Sequence, residues 1–138
     1  MQFDNETTAS VYDVNSAIDL VAVFRNALAS GDLITGMIFD GHGDEQGDLF
    51  LTDSQYIQID DLSQLLQRYQ DAFDPNVYIE YDACYSADGQ NSAAYITSNL
   101  FPGATVVGYT GGYNSWLNIA VSNDWYAMAS QYIACLSG

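Results

Sequence analysis

A thiol becomes a strong nucleophile when a neighbouring imidazole takes its proton. This chain holds one histidine, His42, and two cysteines, Cys84 and Cys135. His42 and Cys84 have the same kind of setting. The apolar run at residues 33–39 (LITGMIF) ends in Asp40-Gly41-His42-Gly43, and the run at 77–81 (VYIEY) ends in Asp82-Ala83-Cys84-Tyr85-Ser86. Continuous apolar runs of this length read as buried strands. Open α/β sheets bind ligands at the carboxyl ends of their strands. Two neighbouring parallel strands would thus bring a base and a nucleophile to one edge. Gly41 and Gly43 allow a sharp turn there and a close approach of backbone to a substrate. The N–H groups of Gly43 and Cys84 can then point at a developing oxyanion, the usual stabiliser in acyl transfer. Taken singly, His42 also suits a plain turn and Cys84 a small buried residue; their pairing at two strand ends is what favours a dyad.

The elements around these two strands alternate. A short first strand is expected within residues 8–13, followed by a helix capped at Asn15 or Ser16. Ala17, Leu20, Val21, Phe24 and Leu28 recur in it at helical spacing, and Gly31 stops it. After the His-bearing strand, residues 48–52 and 55–59 alternate about Asp53-Ser54 and read as a β-hairpin. Asp60 or Asp61 opens a second helix with Leu62, Leu65, Leu66, Tyr69 and Phe73 on one stripe, broken at Asp74-Pro75-Asn76. A third helix is expected over 92–100, a strand over 104–109, and a glycine turn at Thr110-Gly111-Gly112. The last segment reads as a helix with Trp125, Met128, Ala129, Tyr132 and Leu136 on its buried side. This order predicts one domain over 1–138: a three-layer α/β/α sandwich with a mostly parallel sheet and a small hairpin after the His-bearing strand.

Composition narrows the function. Eighteen acidic residues face two basic ones, Arg25 and Arg68, for a net charge of −16. Nucleic acid and anionic membranes, which require Lys and Arg, are therefore disfavoured partners. The acidic surface reads as a solubilising one, with a lean towards an extracellular or salt-rich setting; it would also steer a basic substrate. No apolar run approaches the ~20 residues of a spanning helix. The first ten residues do not read as a signal peptide. Two cysteines are no disulfide framework, so Cys84 is expected as a thiol and Cys135 as a small core residue, with a bridge the lesser alternative. One histidine and no paired-cysteine motif argue against a zinc site, and no cofactor is expected.

The two motifs, Ile38-Phe39-Asp40-Gly41-His42-Gly43 and Ile79-Glu80-Tyr81-Asp82-Ala83-Cys84-Tyr85-Ser86, resemble those of the caspase-like cysteine peptidases. This group contains caspases, metacaspases, legumains, gingipains and clostripain. The Asp-Ala-Cys-Tyr-Ser form looks closest to bacterial caspase-homologue and metacaspase sequences. The likeness spans about residues 8–112, its specific part about a dozen. It implies a cysteine endopeptidase in which His42 is the base and Cys84 forms a thioester with a peptide or protein substrate. Asp82 matches the acid that in metacaspases helps hold Arg or Lys at the cleavage position, a role suited to bidentate guanidinium binding. A turn residue bonding nearby amides is its alternative, and Asp13 is a weaker second acid. Calcium activates some metacaspases; Asp44, Glu45 and Asp48 supply oxygens here, but their spacing fits solvated turn carboxylates better than a calcium loop.

The chain departs from the family at two places. Tyr85 stands where many metacaspases have His, and Ala87-Asp88-Gly89 stands where Gly often follows Ser. It is also short for the family, so a partner chain or a further segment would complete the cleft. Tyr113 or Trp116 could form a substrate wall or simply core. The rival reading is a catalytically inactive module that binds a protein partner. A different Cys-His acyl transferase on the same fold is a third.

Overall fold

The computed structural model describes residues 12–109 in full, together with the backbone of Gln2–Phe3, Ser10–Val11, Asn118–Val121 and Asp124–Trp125. The expected terminal helix, Cys135, the Thr110-Gly111-Gly112 turn, Tyr113 and Trp116 lie outside the described residues. Trp125 itself is in a strand rather than a helix.

The chain is mixed α/β. Strands β1 (Gln2–Phe3) and β2 (Ser10–Val11) precede helix α1 (Ala17–Ser30). Strand β3 (Ile34–Asp40) follows, then the short strands β4 (His42–Gly43), β5 (Leu49–Phe50) and β6 (Tyr56–Ile57). Helix α2 (Ile59–Arg68) leads through a single 3-10 turn into β7 (Phe73–Asp82), helix α3 (Ala93–Leu100), β8 (Thr105–Gly108), β9 (Asn118–Val121) and β10 (Asp124–Trp125).

The main sheet has the order β10-β9-β8-β7-β3-β1-β2. Its centre, β3-β7-β8, is parallel, and both flanks are antiparallel. The expected mostly parallel sheet is thus a mixed one. The flanking pairs involve strands of only two to four residues, too short to carry the long apolar signature of a buried parallel strand. A second sheet, β4-β5-β6, contains the hairpin expected after the His-bearing strand and extends it by His42–Gly43.

Side-chain alternation sorts the central strands into two faces. Met37, Phe39, Val77, Ile79, Tyr81 and Val106 join one buried cluster with Leu20, Val23 and Phe24 of α1, Leu62 and Leu66 of α2, and Ala93 and Ala94 of α3. Phe24 stands edge-on to Phe73, with ring centroids 5.1 Å apart, and Phe73 lies as near to Phe101, so aromatic rings join the middle of α1 and the end of α3 to the foot of β7. The Tyr81 hydroxyl and Thr97 Oγ1 on α3 are 2.7 Å apart inside this core. Burial of Tyr81 pushes its phenol well above the ordinary range, so it stays neutral. The opposite face of β7 carries Tyr78, Glu80 and Asp82, all half-buried.

Helix ends follow their caps with two adjustments. Ser16 precedes α1 as expected, and Gly31 closes it in the left-handed conformation, φ 76°, that glycine adopts without steric cost. The buried stripe of α1 is Leu20, Val23 and Phe24; Ala17 and Leu28 face solvent. The cap of α2 is Gln58, two residues before Asp60, which leaves Asp60 and Asp61 in the positively polarised first turn. Phe73 leaves the α2 stripe and opens β7 instead, so that strand already includes Asp74-Pro75-Asn76.

Candidate active site

The central pair decides the geometry of the site. Strands β3 and β7 lie side by side and parallel, in the register Ile38↔Glu80, Phe39↔Tyr81 and Asp40↔Asp82. His42 and Cys84 each stand two residues beyond the last matched pair. The N–H of Gly41 carries the pairing one step further by donating to the Asp82 carbonyl at 3.1 Å. Next to it, Gly43 lies so close to Cys84 that a Cβ there would run into the Cys84 carbonyl oxygen and stand 3.3 Å from its amide nitrogen. Glycine is required at that position because the two backbones touch. Cys84 is buried and His42 exposed.

The Cys-bearing loop is held from within. Ser86, 2% exposed, donates its hydroxyl to the Tyr81 carbonyl at 2.8 Å and accepts the Tyr109 N–H at 3.0 Å. The Ser86 carbonyl accepts the N–H of Ala94 in the first turn of α3, and the Ala87 N–H donates to the Tyr109 carbonyl, both at 2.8 Å. Gly108 leaves room for this arrangement: a Cβ there would come within 2.8 Å of Ser86 Oγ. Between these anchors Tyr85 takes φ 59°, the one described non-glycine residue in left-handed backbone. Such strain persists only where surrounding contacts over-determine it.

The His-bearing loop is held by a carboxylate. Asp44 Oδ1 accepts the N–H groups of Gln46 at 3.1 Å and Asp48 at 3.0 Å, a turn of the Asx type. Burial, then the charge of Asp44 and a hydrogen bond with it, raise the Asp48 carboxyl above its ordinary value. Asp44 therefore serves the backbone. Among the described residues no group of three His, Cys, Asp or Glu side chains is placed to hold a metal ion. The Tyr85 phenol is raised by burial, then by the charge of Glu45 and a hydrogen bond with it, and by the charge of Asp88.

Asp82 ends β7 beside Asp40. Its carboxyl is pushed up to about 8: burial is the largest cause, followed by a hydrogen bond with Glu80 and the charges of Glu80 and Asp40, while a hydrogen bond from Tyr109 works the other way. Glu80 in turn accepts the Tyr78 hydroxyl. Asp82 Oδ1 is buried without a hydrogen-bond partner among the described residues. A buried carboxylate oxygen left in that state calls for an explanation, and a cationic ligand is one. Asp13 follows β2, which β1 separates from β3, and it is exposed. At about 4.8 Å per strand it stands roughly 10 Å aside from the strand edge that carries His42.

One expectation differs at the centre of the site. Cys84 is disulfide-bonded rather than a thiol. The chain has one other cysteine, Cys135. A disulfide at Cys84 leaves no local sequence mark, because connectivity depends on tertiary approach. The part played by Ser86 was equally hidden, since a serine after a strand end has no distinctive pattern. Glu80 was within reach of sequence reasoning: two residues before Asp82 on a strand, it must share its face.

No family model, curated protein or solved structure matches this chain.

Proposed function

We propose that this chain is a cysteine endopeptidase of the caspase-like kind, with that family's three-layer sandwich, acting when Cys84 is reduced. The observation that carries the reading is the parallel pairing of β3 and β7, with His42 and Cys84 equally far beyond the Asp40↔Asp82 register and Gly43 against the Cys84 backbone. In this mechanism His42 takes the proton of the Cys84 thiol, and the sulfur attacks the scissile carbonyl carbon. The N–H groups of Gly43 and Cys84 hold the oxyanion. As the tetrahedral intermediate collapses, His42 gives its proton to the leaving amine. Water activated by His42 then cleaves the thioester and restores the thiol.

Asp82 is the residue proposed to select Arg or Lys at the cleaved position. Its raised carboxyl keeps a proton below about pH 8, so binding a guanidinium expels that proton. Affinity for a basic side chain should therefore rise with pH up to about 8 and level off above it. Both arginines of the chain lie on helices, Arg25 on α1 and Arg68 on α2, so self-cleavage at the sheet edge is disfavoured. A partner chain or a further segment completes the cleft.

The second reading is a catalytically inactive module that binds a protein partner. The disulfide at Cys84 favours it, because a sulfur held in a disulfide cannot attack. Hydrolysis of fluorogenic peptides ending in Arg, Lys, Asp or Asn, by the reduced chain and by Cys84→Ala, separates the two. Turnover after Arg or Lys that vanishes in Cys84→Ala is expected. Turnover after Asp or Asn alone would remove the role of Asp82 while keeping the dyad. A reduced chain silent on every peptide would leave the binding module.

A further inference from the structure

Helix α1 carries apolar residues outside its buried stripe. Ile18, Val21, Ala22, Arg25, Leu28 and Ala29 recur at helical spacing along a second stripe, distinct from the buried Leu20, Val23 and Phe24. Ile18 is 79% exposed and Leu28 42%. The stripe holds no carboxylate, in a chain with eighteen. Ile18 stands in the first turn of α1, where the helix dipole favours an acid and gives an exposed apolar side chain no reward. Beside the stripe runs a groove of about 460 Å³ between α1 and α2, lined by Val21, Asp61, Gln64, Leu65, Arg68 and Tyr69. Val21 belongs to both stripe and groove, and with the half-buried Leu65 and Tyr69 it makes the groove's floor apolar. Charge singles out the same surface. Of the chain's two basic residues, Arg68 lines the groove and Arg25 follows Val21 on the stripe by one helical turn. Among the described residues neither guanidinium is in an ion pair; Arg68 lies over the Tyr69 ring, 5.7 Å from its centroid. The helix dipole accounts for a cation in the last turn of α2, but not for Arg25 in the middle of α1.

We infer that the α1–α2 face docks an acidic, amphipathic helix of a partner protein. Apolar side chains three and four residues apart on that helix seat on Ile18, Val21 and Leu65, and carboxylates beside them pair with Arg25 and Arg68. From Ile18 to Leu28 the stripe runs about 15 Å along the helix axis, which suits two to three turns of a partner helix better than a small molecule. Asp61 lies in the first turn of α2 and Arg68 in the last, so the partner's carboxylates belong at the Arg68 end of the groove. Elsewhere the chain, at a net charge of −16, repels an acidic helix, and this confines it to the one face that holds cations. A two-fold dimer through the same face would bring the arginines of both copies together, so charge complementarity points to a different chain as the partner. Arg68 ends α2 ahead of β7, at the foot of the strand whose far end carries Cys84. The inference therefore stands apart from the reading of His42 and Cys84.

Fluorescence anisotropy tests this on the full chain with a labelled helical peptide carrying leucines at positions i, i+3, i+4 and i+7 and glutamates beside them. The control is a scrambled peptide of the same composition. Both carry the same charge, so repulsion by the acidic chain is common to the two and only the face can prefer the first. Saturable binding of the striped peptide is expected, at least about tenfold tighter than that of the scrambled one. Ile18→Asp should weaken it on the order of tenfold or more, because it sets a carboxylate among the apolar anchors. The same substitution suits the first turn of α1, so thermal unfolding of the variant should be unchanged or shifted upward. Arg25→Gln and Arg68→Gln should each weaken binding about two- to fivefold, an effect that shrinks as salt is added. Hydrogen exchange should show the peptide protecting residues 17–30 and 59–68. Equal binding of the two peptides, no binding of the striped one below about 1 mM, or an affinity indifferent to Ile18→Asp would overturn the inference. Self-association of the free chain that Ile18→Asp abolishes, seen by sedimentation, would overturn it too and give the face to a second copy.

Discussion

The two strand-end loops that meet at the site are built by opposite means. The Cys84 loop is buried and pinned by a neutral hydroxyl, Ser86, which bonds Tyr81 near the end of β7 and Tyr109 just past β8. The His42 loop is more exposed and pinned by a carboxylate, Asp44, folded over its own backbone and backed by the small β4-β5-β6 sheet. A buried carboxylate would have to be paired or neutralised, whereas a buried hydroxyl need only find its partners. Cys84 is thus fixed as part of the core and His42 as part of the surface. Changes on the cysteine side should cost both folding and chemistry; those on the histidine side should mostly cost chemistry.

Gly43, where the loops touch, should be the most sensitive position. In Gly43→Ala the added methyl meets the Cys84 carbonyl, so the backbones must separate. Overpacking of this kind costs about 1–3 kcal/mol. Displacement of the catalytic groups should lower turnover by on the order of 10²-fold. Chemical denaturation and peptide hydrolysis on the same variant read both losses. Ser86→Ala comes next. It removes the donor to the buried Tyr81 carbonyl and the acceptor of the part-buried Tyr109 N–H, at about 1–3 kcal/mol, visible as a lower urea midpoint with an unchanged slope.

Asp82 sharpens the contrast through pH. Its folded carboxyl holds a proton up to about pH 8, while in the unfolded chain it ionises near 3.8. Between those values the native state binds the proton and the unfolded state does not, so stability falls as pH rises through that window. Asp82→Asn should flatten this part of the stability profile, measured by denaturation from pH 4 to 9. The size is moderated by solvent screening of a half-exposed group, and the direction is the readout. The smallest effect is expected for Asp44→Ala. Freeing one exposed and one part-buried amide should cost at most about 1 kcal/mol, with a proportionally larger fall in turnover. Equal losses at Ser86 and Asp44 would break the comparison.

The parts of the fold written in long apolar runs were legible in the sequence. Residues 33–39 and 77–81 lie in neighbouring parallel strands, as their apolar runs suggest, but only one face of each is fully buried: Met37 and Phe39 on one, Val77, Ile79 and Tyr81 on the other. Gly31 and Ser92 bound their helices for local reasons; the Ser92 side chain accepts the Tyr95 N–H. The short flanking strands were illegible in type, since two to four residues carry no period. The side of α1 that would be buried was only half legible: Leu28 fits the stripe but is exposed. That His42, Gly43 and Cys84 stand together at neighbouring strand ends could be read, because each follows an apolar run. The disulfide at Cys84 and the double role of Ser86 could not, because both are tertiary encounters.

The central claim is that His42 activates Cys84. Its most direct measurement is the rate of alkylation of Cys84 by iodoacetamide in the reduced chain across pH 5–9, with the site of labelling identified by peptide mass and Cys135→Ser used to remove the second thiol. The account predicts fast labelling near neutral pH, and in His42→Ala a slower rate that rises only towards the ordinary thiol range near pH 8.5. Identical pH profiles with and without His42 would contradict it.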